Sequence, residues 1–242
     1  MLSDIHANVE ALEACLKHAL DGGATRFAFL GDFVGYGADP AAVVAIIMRH
    51  AAQGAVVIKG NHEDAIERRA GYMNAALRES IDLAREQLSA EQKSYLAQLP
   101  LSTHESGMGF VHASAAAPGR WEYVDSPAAA LRSLSSSGHA YTFSGHVHDQ
   151  ILFGQVSARR VAEFRPVSGS PVAIGRHRRW LALVGSVGQP RDGRPAAAYT
   201  MFDPGSERIT FFRVPYDHLA AARKIRAAGL PEALAYRVQK GI

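Results

Sequence analysis

Cysteine is almost absent. Cys15 is the only one in 242 residues, so no internal disulfide can form, and there is no sign of a thiolate zinc knot. Its spacing from Leu12 and Leu16 places the thiol on an apolar helix face, as an ordinary core side chain. Long hydrophobic runs are missing too: 48% of the residues are hydrophobic, yet no apolar stretch approaches bilayer-spanning length. Charge of one sign is scarce. The formal net charge is +3, with the cations spread along the chain and short pairs at Arg68-Arg69, Arg159-Arg160 and Arg178-Arg179. That distribution describes a solvated surface and argues against a nucleic-acid partner. The N-terminus has no basic segment leading into an apolar one, so neither export nor a membrane partner is expected and a cytoplasmic location is. Internal repeats, low-complexity tracts and long linkers are also lacking, so residues 1–242 are expected to form a single domain.

What is present is an alternation of short β-rich runs with helical patterns over the first 150 residues or so. After Asn8, apolar residues recur at Val9, Leu12, Leu16 and Leu20, and Gly22-Gly23 stops the helix. Arg26 to Leu30 and Ala55 to Lys59 are continuous apolar strands of the kind buried on both faces. Between them Asp39-Pro40 opens a second helix. A long helical region over Leu77 to Leu99 carries a break near Ser89, a hairpin turns at Ser106-Gly107, and Ala140 to Gly145 is another buried strand. After Asp149 the chain becomes β-rich, with a turn at Pro204-Gly205, and a helical tail runs from about Tyr216 to Lys240. The expected fold is α/β of the α+β type: two mixed sheets packed as a sandwich and flanked by helices.

The placement of polar residues carries the functional information. Five apolar runs end in Asp, His or Asn: Asp4 and His6, Asp32, Asn61 and His62, His112, and His146 with His148. Strand C-termini of an α/β sheet share one edge, where ligand sites form. The glycine ahead of several of these residues lets the chain turn sharply out of the strand. Carboxylates, imidazoles and an amide oxygen together suit Mn, Fe, Zn, Ni or Co. Asp4, His6, Asp32, Asn61, His112, His146 and His148 are too many ligands for one tetrahedral ion and a plausible number for two divalent ions. The competing reading is a buried polar network that satisfies loop backbone without any metal, although burying such groups unmetallated is costly.

The blocks "SDIH", "GDFVGYG", "GNHE", "VHAS" and "GHVH" resemble, in order and spacing, those of the calcineurin-like metallophosphoesterase superfamily. "GSVGQPRDG", from Gly185 to Gly193, is similar to the small bacterial and archaeal phosphodiesterases of the YfcE type. The resemblance implies that Asp4, His6, Asp32 and His148 hold one metal, and that Asp32, Asn61, His112 and His146 hold the other, with Asp32 bridging. It also implies that His62 sits over the substrate phosphate, donating a proton to the leaving oxygen or stabilising transition-state charge. His18, His50, His104, His139, His177 and His218 lack partner spacing and are expected to be surface or packing residues. Trp121 and Trp180 are expected to pack in the core or at the rim, with the border of a base-binding pocket as the alternative.

Departures from the family pattern narrow the reaction. Where the protein serine/threonine phosphatases continue Asp-Arg-Gly, this chain has Gly35, Tyr36 and Gly37. The bidentate cation that grips a phosphomonoester dianion is therefore missing from this loop. A diester carries one charge fewer, which favours a small phosphodiester substrate, while Arg191 is open to two readings, a phosphate contact or a surface residue. Tyr36 stands four residues after the bridging aspartate, one more than the metal-binding tyrosine of purple acid phosphatases, and is expected to be a pocket wall. Glu63 is expected to stabilise a helix N-terminus or support the site indirectly.

The resulting expectation is a dinuclear metal-dependent phosphodiesterase in which a hydroxide between the ions attacks phosphorus in line and His62 assists the departing alcohol. A phosphomonoesterase with the same site and a non-catalytic scaffold on this fold are the alternatives. One physical oddity remains. A central strand should be about five residues long, yet only Met1, Leu2 and Ser3 precede Asp4. The expectation is a natural start several residues upstream with a β-rich extension, or else a frayed first strand and a weaker metal at Asp4 and His6.

Overall fold

The computed structural model describes residues 1–68 and 74–242, which leaves Arg69 of the first arginine pair outside the described residues. Helix α1 (Val9–Asp21) begins where the Asn8 side chain accepts the Ala11 N–H, and it turns Leu12, Cys15 and Leu16 into the core. Strand β1 (Ala28–Phe29) pairs in parallel with β2 (Val56–Val57), and helix α2 (Pro40–Ala52) is the crossover between them. The segment before Asp4 makes one isolated parallel bridge, Leu2 to Phe29, in place of a strand. Met1 also joins the ladder: its ammonium donates to the Thr200 carbonyl at 2.7 Å, and its carbonyl accepts the Thr200 N–H at 3.1 Å. Burial pulls that ammonium down to about 5.

Thr200 lies in β10 (Ala196–Asp203), which pairs with β11 (Arg208–Pro215) and through it with β8 (Val172–Ala173). Met1 and Leu2 thus stitch the β1–β2 ladder to the β10–β11–β8 ladder as one layer. The opposing layer is a six-stranded mixed sheet. Its order is β3 (Ser102–Glu105), β4 (Met108–Val111), β5 (Tyr141–Ser144), β9 (Trp180–Val184), β6 (Gln150–Ser157) and β7 (Arg160–Phe164). Leu30, Ile58 and Phe211 of the first layer meet Phe110, Phe143, Leu152 and Val184 of the second. Each fully buried Phe contributes about 1.5–3 kcal/mol through burial. Helices α1, α2, α4 (Ala75–Gln87) and α5 (Ala90–Gln98) cover the first layer, and α6 (Pro127–Ser137) covers the second. This is the expected sandwich flanked by helices.

Asn61 and His62 sit in the first turn of a short helix, α3 (Asn61–Glu67), with Glu63 at its N-terminus as expected. Two local features differ from the sequence reading. Helix α6 was not expected, because its inner face is made of small residues, Ala129, Ala130 and Ser133, with Leu134 as its one large side chain. The C-terminal tail is two helices, α7 (His218–Ala227) and α8 (Glu232–Lys240), because Gly229 adopts φ 72° and Pro231 follows it.

Candidate metal centre

The C-terminal ends of β1, β2, β4 and β5, together with the segment after Leu2, lie on one edge of the sandwich and deliver all seven expected ligands to a single buried cluster. Their nitrogen and oxygen atoms fall into overlapping groups, each within 4.8 Å: Asp4 with His6 and His148, Asp32 with His112 and His146, and His6 with Asp32 and His62. Asn61 joins the second group, with its Oδ1 3.2 Å from His112 Nε2.

Backbone carbonyls fix the proton positions on the rings. Since a carbonyl can only accept, the ring nitrogen facing it carries the hydrogen. His148 Nδ1 donates to the Gln189 carbonyl at 2.6 Å, and His6 Nδ1 faces the Val34 carbonyl at 3.4 Å. Their Nε2 atoms are left as lone pairs, 3.1 Å apart. In the second group His112 Nδ1 donates to the Leu30 carbonyl at 2.6 Å and His146 Nε2 to the Trp121 carbonyl at 3.0 Å. His112 Nε2 and His146 Nδ1 then confront each other at 3.2 Å, beside Asn61 Oδ1. With every ring neutral, acceptors of the described residues converge with no donor between them, an arrangement that an added proton or a divalent cation relieves.

The carboxylates fit the same account. Asp4 Oδ2 accepts the His146 N–H at 3.0 Å, whereas Oδ1 is buried without a hydrogen-bond partner among the described residues, 3.3 Å from His148 Nε2. Asp32 Oδ1 accepts the His62 N–H at 2.9 Å, which leaves Oδ2 3.4 Å from His112 Nε2 and 3.7 Å from His62 Nε2. Burial pushes Asp4 up to about 6, a carboxylate short of counter-charge. Burial opposes charging of His112, but the adjacent Asp32 prevails and the ring is pushed up to about 10. The cluster calls for positive charge.

Glycines make room for this crowding. At Gly31, φ 90° turns the chain out of β1 as expected. Gly60 and Gly145 serve a different need: neither has positive φ, but a Cβ would fall 2.3 Å from Asp32 Oδ1 at Gly60 and 1.9 Å from Ser3 Oγ at Gly145. Glu63, fully buried at N3 of α3, accepts the N–H groups of Asp32, Phe33 and Gly60 at 2.8 Å and of Val34 at 3.4 Å, which ties two site loops together. Burial and the nearby Asp32 push its carboxyl up to about 7, while the donors to it favour the ionised form.

His62 is buried beside the centre with its Nδ1 donating to the Val34 carbonyl at 2.9 Å, so its Nε2 is the atom turned toward Asp32. Tyr36 is a wall, its ring centroid 4.7 Å from that of His6 and 4.8 Å from that of His62. Arg191 is exposed and bonded to Gln189 Oε1 at 3.1 Å. It follows Gln189, whose carbonyl holds His148 Nδ1, by two residues, and behind the larger effect of burial its charge lowers His6, His62 and His148. The remaining histidines stand apart from the described metal-type groups, as expected; His18 bonds the Tyr199 hydroxyl and His104 stacks on His139. Sequence reasoning missed the roles of the Val34 and Gln189 carbonyls, which no side-chain pattern can announce, and of Tyr123, whose ring stacks on His146.

A buried two-lobed Asp, His and Asn centre at the strand ends of an αββα sandwich is the hallmark of a metallophosphoesterase. The chain belongs to the calcineurin-like phosphoesterase superfamily, whose domain model matches residues 1–206. It is 31% identical over 247 residues to the protein MJ0912 of Methanocaldococcus jannaschii, covering 100% of this chain and 97% of that one. A metallophosphoesterase from Sphaerobacter thermophilus superposes with a TM-score of 0.90 at 34% identity, over 100% of this chain and 97% of that one. The protein PH1004 from Pyrococcus horikoshii OT3 shares the fold, with a TM-score of 0.79 at 20% identity over the same shares. Family and clusters together make this protein a metal-dependent phosphoesterase.

Proposed function

We propose that residues 1–242 form a single metallophosphoesterase domain that hydrolyses a small phosphodiester with two divalent ions. Asp4, His6, Asp32 and His148 would hold one ion, and Asp32, Asn61, His112 and His146 the other, with Asp32 shared. Bound ions would neutralise charge on the phosphoryl oxygens and supply an activated water at neutral pH. Hydrolysis forms one P–O bond from that water and breaks one to the alcohol, which leaves with a proton while the monoester is released. His62, with one proton held on Nδ1 by the Val34 carbonyl, presents Nε2 to the departing oxygen; as the imidazolium it gives that oxygen its Nε2 proton, and a proton from the attacking water restores the ring.

The observation that carries the diester preference is the packing at Gly35-Tyr36. A Cβ on Gly35 would lie 2.3 Å from His62 Nδ1, and the Tyr36 ring fills the space beside His6 and His62. The loop therefore has no place for the carboxylate that supports the catalytic His, or for the guanidinium that grips the dianion, in the protein phosphatases. Arg191 offers a single cation, enough for a monoanionic diester. With Mn present, kcat/KM for bis(p-nitrophenyl) phosphate should exceed that for p-nitrophenyl phosphate by at least about tenfold, a difference of about 1.4 kcal/mol in transition-state binding. A preference for the monoester would overturn the assignment. His62→Gln should keep its bound metal and lose most of kcat.

A further inference from the structure

Tyr123 is the exposed aromatic of the site. Its ring lies over His146 with centroids 4.2 Å apart and planes at 18°, yet 52% of the residue is open to solvent. Its backbone is pinned on both sides. Two residues earlier, Trp121 adopts φ 56° and lends its carbonyl to His146 Nε2. One residue later, Val124 is buried against α6, and Ser126 caps that helix. A single exposed aromatic is ordinary on a protein surface; Tyr123 differs in its seat, one face held against an imidazole of the charged centre and the other left as a flat, uncovered π surface beside it.

Building on the phosphodiesterase reading, we infer that Tyr123 is the stacking platform for a planar base in the substrate, so that the diester carries a nucleoside beside the scissile phosphate. Tyr123 stacks directly on the imidazole whose Nδ1 faces the centre, so a group on the outer face of Tyr123 stands a full ring beyond that imidazole. A planar group that covers Tyr123 is accordingly joined to the phosphate through a spacer of sugar size, not directly. Stacking of this kind is tolerant of base identity, because every base offers a π face.

The test holds the leaving group constant and varies the spectator group. Thymidine 5′-(p-nitrophenyl) phosphate and methyl p-nitrophenyl phosphate are compared with the Mn-loaded wild type, Tyr123→Ala and Tyr123→Phe. The wild type should favour the thymidine ester. Tyr123→Ala should reduce that preference about five- to tenfold, mainly through KM, and Tyr123→Phe should restore it. Calorimetric binding of thymidine 5′-monophosphate relative to methyl phosphate should lose the same factor in Tyr123→Ala. An unchanged preference in both measurements, or a loss that Phe does not rescue, overturns the platform. If the wild type cleaves only monoesters, the diesterase reading fails, and the binding ratio alone still decides the role of Tyr123.

Discussion

At the scale of single residues, the centre is built from strained backbone. Asp4, His6, Asp32, His146 and His148 all have φ between 50° and 70°, the left-handed region that L side chains avoid. Such residues cost on the order of 1–3 kcal/mol each and persist where surrounding contacts over-determine them. Here the carbonyl anchors of the rings and the carboxylate bonds of Asp4 and Asp32 do so. Ala7 shares the conformation, with φ 50°, without offering a polar side chain. Ala7→Gly should therefore raise the unfolding free energy by about 0.5–1 kcal/mol, with metal binding retained, and Ala7→Val should lower it by more than about 2 kcal/mol. Denaturant titration of the three proteins measures both signs. Gly35 gives a second case. With φ 80° and His62 Nδ1 in the path of any Cβ, Gly35→Ala should displace His62. Its kcat should fall by more than about tenfold while metal content, read by elemental analysis, stays at the wild-type level.

At the scale of elements, α3 is the joint between two strand-end loops. Its Glu63 gathers N–H donors from the loops after β1 and β2, so one buried side chain fixes Asp32 and Asn61 relative to each other. Glu63→Gln keeps the shape but replaces an acceptor by a donor facing N–H groups. It should lose about 2–4 kcal/mol of stability and weaken metal binding, as seen in chemical denaturation and metal titration of the same samples. Glu63→Asp should fall short of Gly60 and also lose stability. Equal stability in all three proteins would remove Glu63 from this role. The position of α3 was legible only as "GNHE", because seven residues are too few to display a helical period. By contrast, the strands declared themselves as apolar runs, and the ends of those runs located Asp4, Asp32, Asn61, His112, His146 and His148. The tertiary partners of these residues were not legible. That His148 is oriented by a carbonyl 41 residues away, at Gln189, depends on backbone atoms every residue possesses. Tyr123 escaped notice because an exposed tyrosine in a loop has no distinguishing pattern, and its meaning comes from the imidazole beneath it.

At the scale of the whole molecule, the centre joins parts of the chain that are otherwise distant, since Asp4 and His148 are separated by 144 positions and meet at 3.3 Å. A cation held there cross-links both layers of the sandwich in the folded state and has no comparable site in the unfolded chain. Binding must then appear as stability, by about 2.7 kcal/mol when the free ion is at 100 times its Kd. For a chain of this length that corresponds to a rise in Tm of roughly 5–10 °C, reversed by excess chelator. The variants should separate by position. Asp32 stands where the overlapping groups meet, with its Oδ2 beside both His112 and His62, so Asp32→Asn should abolish most of the rise. His62 Nε2 lies 3.7 Å from the same oxygen but outside the acceptor sets of both lobes, so His62→Gln should retain the rise while losing turnover. His148→Ala should leave a partial rise from the Asn61, His112 and His146 lobe, with lower Mn stoichiometry by elemental analysis. If all three variants responded to Mn as the wild type does, the ion would be binding elsewhere, and the convergence of lone pairs between the strand ends would need another explanation.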